Sequence, residues 1–520
     1  MFDLILRNGL VVDGSGDPAY TADVGVCGDK ITAIGVLPPE ADTTDQLDCA
    51  GMVVAPGFID IHTHADIALL AHPPHLPKVM QGITTEVFTN CGLGFAPASG
   101  EGLAIQRKYL IGLFGDSEGV DWEWRSVADL LTIYEKQGIG ANIVYLIPHG
   151  SVRVSVMGME ERISVESELK QMEAMVLQGM EEGAWGLSTG LWYAPMKSAS
   201  LEETVRLSRI AGFFATHQRD YENGIFPATE ESVKIAREAH VPVQISHLQM
   251  NGPENKGKAP QILDLLDKAR ESGVDVSCDI YPYTAGSTLV QALLPGWAAV
   301  DGPEGLMKLL SDQKQLKRIE ASLDDNRDWS VYFLAGATSK KNSPLEGLSF
   351  PAASRKRGMS VPEWIGALLQ EESLQACFIH HNAHEENVRD IMRWRHQMFG
   401  SDGLHLTGKS HPRLYGAFPR ALAKYVREEK VITLEDAIWK MTGAPASRLG
   451  IKGRGFLKVG YAADIVVFNR DEIDTPATFE NPSLFPSGIP YVLCNGVPVK
   501  WNNSSTGSIP GKVLRKNQQN

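Results

Sequence analysis

The order of strand and helix signals predicts an α/β protein: a (β/α)8 TIM-like barrel with a small discontinuous β-domain formed by both termini. Three observations carry this. Between about residues 56 and 442, short β-forming runs alternate with helical patterns, which implies a parallel sheet. Before 56 and after 442 the chain reads as short strands and turns without that alternation. Imidazole, thiol and carboxylate side chains recur where the barrel-region strands end, the face on which a closed barrel carries its site. An open doubly wound sheet is the alternative, and the placement of these side chains favours closure. The expected boundaries are 1–55 and 443–520 for the β-domain and 56–442 for the barrel, with an insertion or lid at about 285–351.

In the amino-terminal layer, Phe2 to Arg7, Leu10 to Val12, Ala22 to Cys27 and Lys30 to Ile34 are strand runs. Turn signals separate them at Asn8-Gly9, Gly14-Ser15-Gly16 and Cys27-Gly28-Asp29. Met52 to Ile61 reads as one buried strand ending in His62-Thr63-His64. Further strand candidates are Thr84 to Thr89, Ala141 to Ile147, Gly186 to Ser188, Ala211 to His217, Val241 to His247, Val274 to Tyr281, Ala376 to His380 and Met398 to Gly400. Helices are predicted at Ser126 to Gln137, where Ser126 caps and Asp129 follows three residues on, and at Ser164 to Glu182, Thr229 to Ala239, Ile262 to Ser272 and Glu385 to Trp394. A helix-like Leu306 to Leu323 sits in the insertion. After a helix at Leu434 to Met441, a strand over 460–468 and a hairpin about Asn495-Gly496 return the chain to β-structure.

The 520 residues suffice for a large core, and the composition, 43% hydrophobic and 22% charged, is that of a globular protein. A formal net charge of -14 disfavours nucleic acid or an anionic membrane as partner. The six cysteines are scattered without a CxxC pair, so no disulfide framework is expected. No secretory signal and no apolar run near the ~20 residues of a membrane span are visible, which points to a cytoplasmic protein.

His62 and His64 lie two positions apart at a strand end, so both can face one cavity. Cys91, His149, His217, His247 and Asp402 each follow or close another predicted strand. Singly, each has an ordinary explanation: a small buried hydrophobe, a hydrogen-bonded core histidine, a turn aspartate. Together they place N, S and O donors around one barrel mouth, a set that a first-row metal accepts.

Motifs along nearly the whole chain make the likeness specific. They include Pro56 to His64, Gly82 to Thr85, Asn90-Cys91-Gly92, Gly186 to Leu191 with Tyr193 and Pro195, and Thr216-His217-Gln218-Arg219. They continue through Ile245 to Leu248, Asp279 to Tyr283, Ser401-Asp402-Gly403, His411 to Gly416 and Ala463 to Val466. The chain resembles the metal-dependent amidohydrolase superfamily, and within it the N-acyl-D-amino-acid deacylases (D-aminoacylases), whose mark is a cysteine where many relatives use a carboxylated lysine.

The resemblance implies zinc-dependent hydrolysis of a linear amide, with a small-molecule N-acyl-D-amino acid as substrate. It implies one tight zinc site from Cys91, His217 and His247, and a second, weaker or empty site flanked by His62, His64 and Asp402. Asp402 would act as general base and then general acid. Arg413 would pair with the substrate's α-carboxylate. One of Tyr281 and Tyr283 would assist, and Tyr193 or His149 would hydrogen-bond the developing oxyanion. One position departs from the family: Gln249 stands where a lysine also binds the carboxylate. Loss of that charged contact costs about 1.5–3 kcal/mol unless replaced. Lys256, Lys258 or Arg219 compensates, or the substrate is a cyclic amide, a dipeptide or another non-standard amide. A non-catalytic scaffold is the reading from another class, and the intact donor set argues against it.

Overall fold

The coordinates are a computed structural model describing residues 1–115, 119–323, 327–406 and 408–518. The predicted insertion and tail therefore include residues, 324–326 and 519–520, that lie outside the described residues.

The barrel strands are Phe58–Asp60, Ile83–Phe88, Asn142–Tyr145 continued by Ile147–Pro148, Leu187–Gly190, Phe214–His217, Val243–Ile245, Val276–Ile280 and Gln397–Phe399. Every pairing between them is parallel. The third strand joins two arcs, since Asn142–Tyr145 pairs with the second strand and Ile147–Pro148 with the fourth. The seam between the eighth and first strands closes beyond their ends. There Gly403–Leu404 pairs with Thr63–His64, and the Asp402 amide donates to the His62 carbonyl at 2.8 Å. Inside the barrel Ile59, Ile61, Val87, Val144, Leu146, Phe213, Ala215 and Met398 pack with Leu449, Ile451 and Leu514 in one apolar cluster. Alternate residues of each strand thus fill the interior, leaving a packed core with chemistry at one end.

Strands from both ends of the chain share one nine-stranded sheet. Val53–Pro56 runs parallel to Phe2–Val11 and antiparallel to Ile465–Phe468. The predicted Met52 to Ile61 strand is therefore two strands, Val53–Pro56 in this sheet and Phe58–Asp60 in the barrel, with Gly57 between them. A Cβ on Gly57 would lie 2.2 Å from Thr84 Oγ1, so the crossing needs glycine. Phe2 to Val11 is likewise one strand, not two. Asn8-Gly9 is a bulge rather than a turn, with Asn8 at φ 59° and its N–H on Asp23 Oδ1 at 2.9 Å. Elsewhere the local signals match. Ser126 and Asp129 form a reciprocal capping box, and Asn495-Gly496, both at positive φ, turns the carboxyl-terminal hairpin.

Between the seventh and eighth barrel strands lies a substructure with its own core, including Leu306, Ile319, Phe350, Trp364 and Phe378. Its antiparallel sheet orders Gly286–Leu289, Cys377–His380 and Tyr332–Gly336 with Cys377–His380 in the middle. Cys377–His380 is thus not a barrel strand, and the excursion runs past Pro351 to His380. The predicted Leu306 to Leu323 helix is two helices, Gly302–Ser311 and Gln313–Ser322, because Asp312 caps the second through the Lys314 and Gln315 amides. Among the described residues, no helix is long and apolar enough to cross a membrane.

Candidate metal centre

The turns after the first, second, sixth and eighth strands bring five side chains together. Cys91 Sγ lies 3.3 Å from His62 Nε2 and 3.4 Å from His247 Nε2. Asp402 Oδ1 lies 3.2 Å from His64 Nε2 and 3.6 Å from His62 Nε2. Among the described residues, two groups converge closely enough for a cation, His62–Cys91–His247 and His62–His64–Asp402, all buried and sharing His62. His217 is beside them, its ring centroid 4.6 Å from that of His247, but outside both close groups.

The backbone is bent to make this convergence. Cys91, His247 and Asp402 sit at φ 57°, 31° and 50°, and Thr89 at 61°. Each left-handed non-glycine residue costs on the order of 1–3 kcal/mol, and such strain persists where the surrounding structure fixes a site. The Cys91 turn also needs Gly190 beneath it, where a Cβ would lie 2.1 Å from the Cys91 carbonyl oxygen.

Burial sets the electrostatics. It pushes the Cys91 thiol up to about 11, with His62 opposing, and the His247 imidazole down to about 4. Without a cation, then, the centre holds a neutral thiol and a neutral imidazole; a bound metal ion makes such a thiol a thiolate. Burial alone would raise the Asp402 carboxyl, but Arg413, His62 and His64 hold it well below the usual carboxylate range. Arg413 Nη1 is 2.9 Å from Asp402 Oδ2, and its guanidinium carbon is 4.5 Å from the centre of the Tyr281 ring. A thiol, imidazoles and a carboxylate fit zinc.

Two supports of this cluster were given no role from the sequence. Asp279 faces His62 Nδ1 at 3.1 Å and accepts the His247 backbone N–H at 2.8 Å, so it aims His62 Nε2 at the thiol. The hint was a charge inside the buried strand Val276–Ile280. Lys78, fully buried, donates to Asp60 Oδ2 at 2.6 Å, Thr63 Oγ1 at 2.8 Å and Ser401 Oγ at 2.5 Å. Asp60 Oδ1 in turn accepts the amides of His62 at 3.2 Å and Ser401 at 2.8 Å. This lattice clamps the two sides of the barrel seam directly behind the candidate metal ligands.

A cavity of about 240 Å³ opens on the cluster. Of the residues singled out from sequence, His64, Cys91, Tyr193, His217, His247, Gln249, Tyr281 and Asp402 line it. Tyr283 does not: its ring packs edge-on against His411 at 5.1 Å. His149 is also outside, its Nε2 2.8 Å from Glu203 Oε1, where Arg153 also binds at 2.6 Å. The oxyanion role considered for His149 therefore has no support in the geometry. Tyr193 donates or accepts with Thr288 at 2.9 Å. The excursion supplies Arg327, Tyr332, Phe378 and His380 to the wall, none of which spacing in the sequence marks.

A parallel barrel that gathers a thiol, imidazoles and a carboxylate at its carboxyl face defines a metal-dependent barrel enzyme. The family model described as "Amidohydrolase family" matches residues 45–225 and 367–500. The chain is 36% identical to a D-aminoacylase of Alcaligenes xylosoxydans xylosoxydans, over 99% of this chain and 98% of that one. A crystal structure of a D-aminoacylase superposes with a TM-score of 0.84 at 35% identity, covering 99% of this chain and 100% of the other. N-acyl-D-glutamate deacylase from Bordetella bronchiseptica, solved with zinc and a phosphonate mimic of the tetrahedral intermediate, superposes with a TM-score of 0.84 at 31% identity, covering 99% of each chain. The chain belongs to the amidohydrolase family.

Proposed function

We propose that the protein is a zinc-dependent deacylase that hydrolyses the amide of N-acyl-D-amino acids to a carboxylate and a D-amino acid. The observation that carries the chemistry is the meeting of Cys91, His62 and His247 within bonding reach of one point, with Asp402 beside them. The D-amino-acid class rests on relatives named for that substrate that match the chain end to end.

Cys91, His62 and His247 would hold the ion, with His217 at its flank and His64 and Asp402 toward a second position. When bound, zinc lowers the pKa of a water and polarises the amide carbonyl. The work of the chain follows from its contacts. Asp402, kept ionised by Arg413, accepts the proton of the attacking water at a carboxylate oxygen and returns it to the departing amine nitrogen. His64, hydrogen-bonded to the same carboxylate, fixes its orientation. Tyr193 and Tyr281, two of the hydroxyl-bearing residues on the cavity wall, would donate to a developing oxyanion. The Tyr332, Phe378 and Leu293 wall excludes water from the acyl group.

One observation favours a second reading. The Gln249 amide points at the carbonyls of Tyr281 and Tyr283, 3.5 and 3.4 Å away, and contributes no charge to the cavity. A substrate without a free α-carboxylate suits that wall.

The test is free-amine release from N-acetyl-D-amino acids, their L forms and their carboxamides by protein assayed for bound metal. We expect about one tightly held zinc per chain, loss of turnover on chelation, recovery with zinc, and preference for the D free acid. Asp402→Asn should abolish turnover while leaving the thermal transition in place. Turnover by that variant would refute the role of Asp402, and cleavage of carboxamides as fast as acids would move the reading to the second substrate class.

A further inference from the structure

We propose that His75 and His405 form a second metal site that takes a borderline divalent transition cation, such as zinc or nickel. The site lies in a different cavity from the catalytic one and serves no step of the proposed hydrolysis.

That cavity, of about 650 Å³, shares no lining residue with the catalytic cavity. The two are nonetheless neighbours. Leu404 lines the catalytic cavity and the next residue, His405, lines the other; Phe114 lines the second cavity with its ring 5.9 Å from that of His64. In the second cavity His75 Nε2 stands 3.1 Å from His405 Nε2. Donor pairs of the candidate zinc centre stand 3.2 to 3.6 Å apart. Two nitrogens bound tetrahedrally at about 2.0–2.1 Å from one zinc ion are about 3.3–3.4 Å apart, so a shift of a few tenths of an ångström, about 0.2–0.3 Å, seats an ion between them.

The surroundings fix His75 as a ligand. Glu86, fully buried, places Oε1 2.6 Å from His75 Nδ1. Burial alone would raise the Glu86 carboxyl, but His75 and Lys78 hold it below the ordinary range, so it is a carboxylate and only accepts. In the neutral ring Nδ1 then carries the hydrogen and the Nε2 lone pair faces His405, the arrangement of a carboxylate–histidine–metal triad. His75 is also held at φ 48° and ψ 53°, left-handed like Cys91, His247 and Asp402. Burial, with positive charge at His75 and Lys78, keeps His405 well below the usual imidazole range, so its ring is neutral and has a lone pair to give. Without a cation, one N–H bridges the pair. A cation replaces that bridge once His405 carries its hydrogen on Nδ1 instead of Nε2, and no proton is lost. His72, exposed on the same wall, and water are the remaining donors.

Such an ion would clasp the barrel seam. His75 lies between the helices Asp66–Ala71 and Leu76–Val79, and His405 directly follows Gly403–Leu404, which pairs with Thr63–His64. Glu86 Oε2 also faces Lys78 at 3.6 Å, so the clasp adjoins the Lys78 lattice. Binding to the folded chain alone stabilises it.

The experiment uses the full chain loaded with one equivalent of zinc, as wild type, His405→Gln, His75→Gln and Asp402→Asn. Each is titrated calorimetrically with further zinc and with nickel, and its thermal midpoint is measured with and without the added ion. Wild type should take a further ion and gain in midpoint. His405→Gln and His75→Gln should each weaken that ion about 10-fold or more and remove the gain. Asp402→Asn, which alters only the second position in the catalytic cavity, should keep both. His405 is only partly buried, so its variant keeps the test intact where loss of His75 leaves Glu86 short of a partner. A wild type that takes no further ion overturns the site. So does a further ion that survives both histidine variants, or one that disappears only in Asp402→Asn.

Discussion

Lys78→Met removes the one ammonium from the lattice behind the candidate metal ligands while keeping most of the side-chain volume. In the native protein Lys78 and Asp60 are both fully buried and 2.6 Å apart, and Glu86 Oε2 is 3.6 Å from the same ammonium. Glu86 keeps a partner in His75 at 2.6 Å, so the loss falls mainly on Asp60. Removing one partner of a buried ion pair costs about 3–5 kcal/mol, because the other charge stays buried without compensation. Asp60 still accepts the His62 and Ser401 amides, so the lower end of that range is expected. The assay is thermal and denaturant unfolding of Lys78→Met, Asp60→Asn and the double variant, with zinc content measured on each. The single variants should each lose stability and zinc. The double variant should lose less than the sum, since neither charge is then left alone. Losses that simply add, or a Lys78→Met protein as stable and as zinc-rich as wild type, would refute the account of the seam.

Two further outcomes follow from the fold. Gly190→Ala should cost about 1–3 kcal/mol and lower the zinc bound per chain, because the new methyl meets the Cys91 carbonyl; metal analysis with calorimetry checks it, and full zinc occupancy would show that the turn can yield. Lys500, buried beside the Met80 carbonyl, has its ammonium pushed down to about 8 by burial. The unfolded chain holds that proton up to about pH 10.4 and the folded chain only to about 8, so this group makes stability rise with pH between those values, by at most about 3 kcal/mol. Lys500→Met should therefore be most favourable relative to wild type near pH 7 and lose that advantage toward pH 10. A gap that does not change with pH would contradict the burial of the charge.

What could be read without coordinates follows physical lines. The parallel barrel was legible because alternating strand and helix patterns are local, and so were the Ser126–Asp129 cap and the Asn495-Gly496 turn. Pairing partners were not. Cys377–His380 has the same apolar character as a barrel strand, and only the tertiary arrangement assigns it to the middle of an antiparallel sheet. Thr43–Asp48, made of polar and acidic residues with one leucine, pairs parallel to Phe2–Val11 and gives no strand signal at all. At the site, residue types at strand ends located Cys91, His62, His64, His247 and Asp402. The sequence likeness could not say that the ligand atoms of His62, rather than those of His217, converge with the thiol and His247, nor that Arg413 reaches Asp402. Lys78 was silent because its contact with Ser401 spans more than three hundred residues of sequence.

The packing of Leu514 inside the barrel has a consequence for how the molecule is made. The segment around it hydrogen-bonds to the third strand, with the Leu514 amide on the Ile143 carbonyl at 2.8 Å and the Gly511 amide on the Ile139 carbonyl at 2.7 Å, and the Lys516 amide reaches Gly183 at 3.0 Å. These residues leave the ribosome after every barrel strand. Until they arrive, the end of the cylinder opposite the catalytic mouth has no floor, and its apolar interior faces solvent or a chaperone. The strap formed by residues 511–516 thus completes the barrel interior only after the strands that surround it have been made.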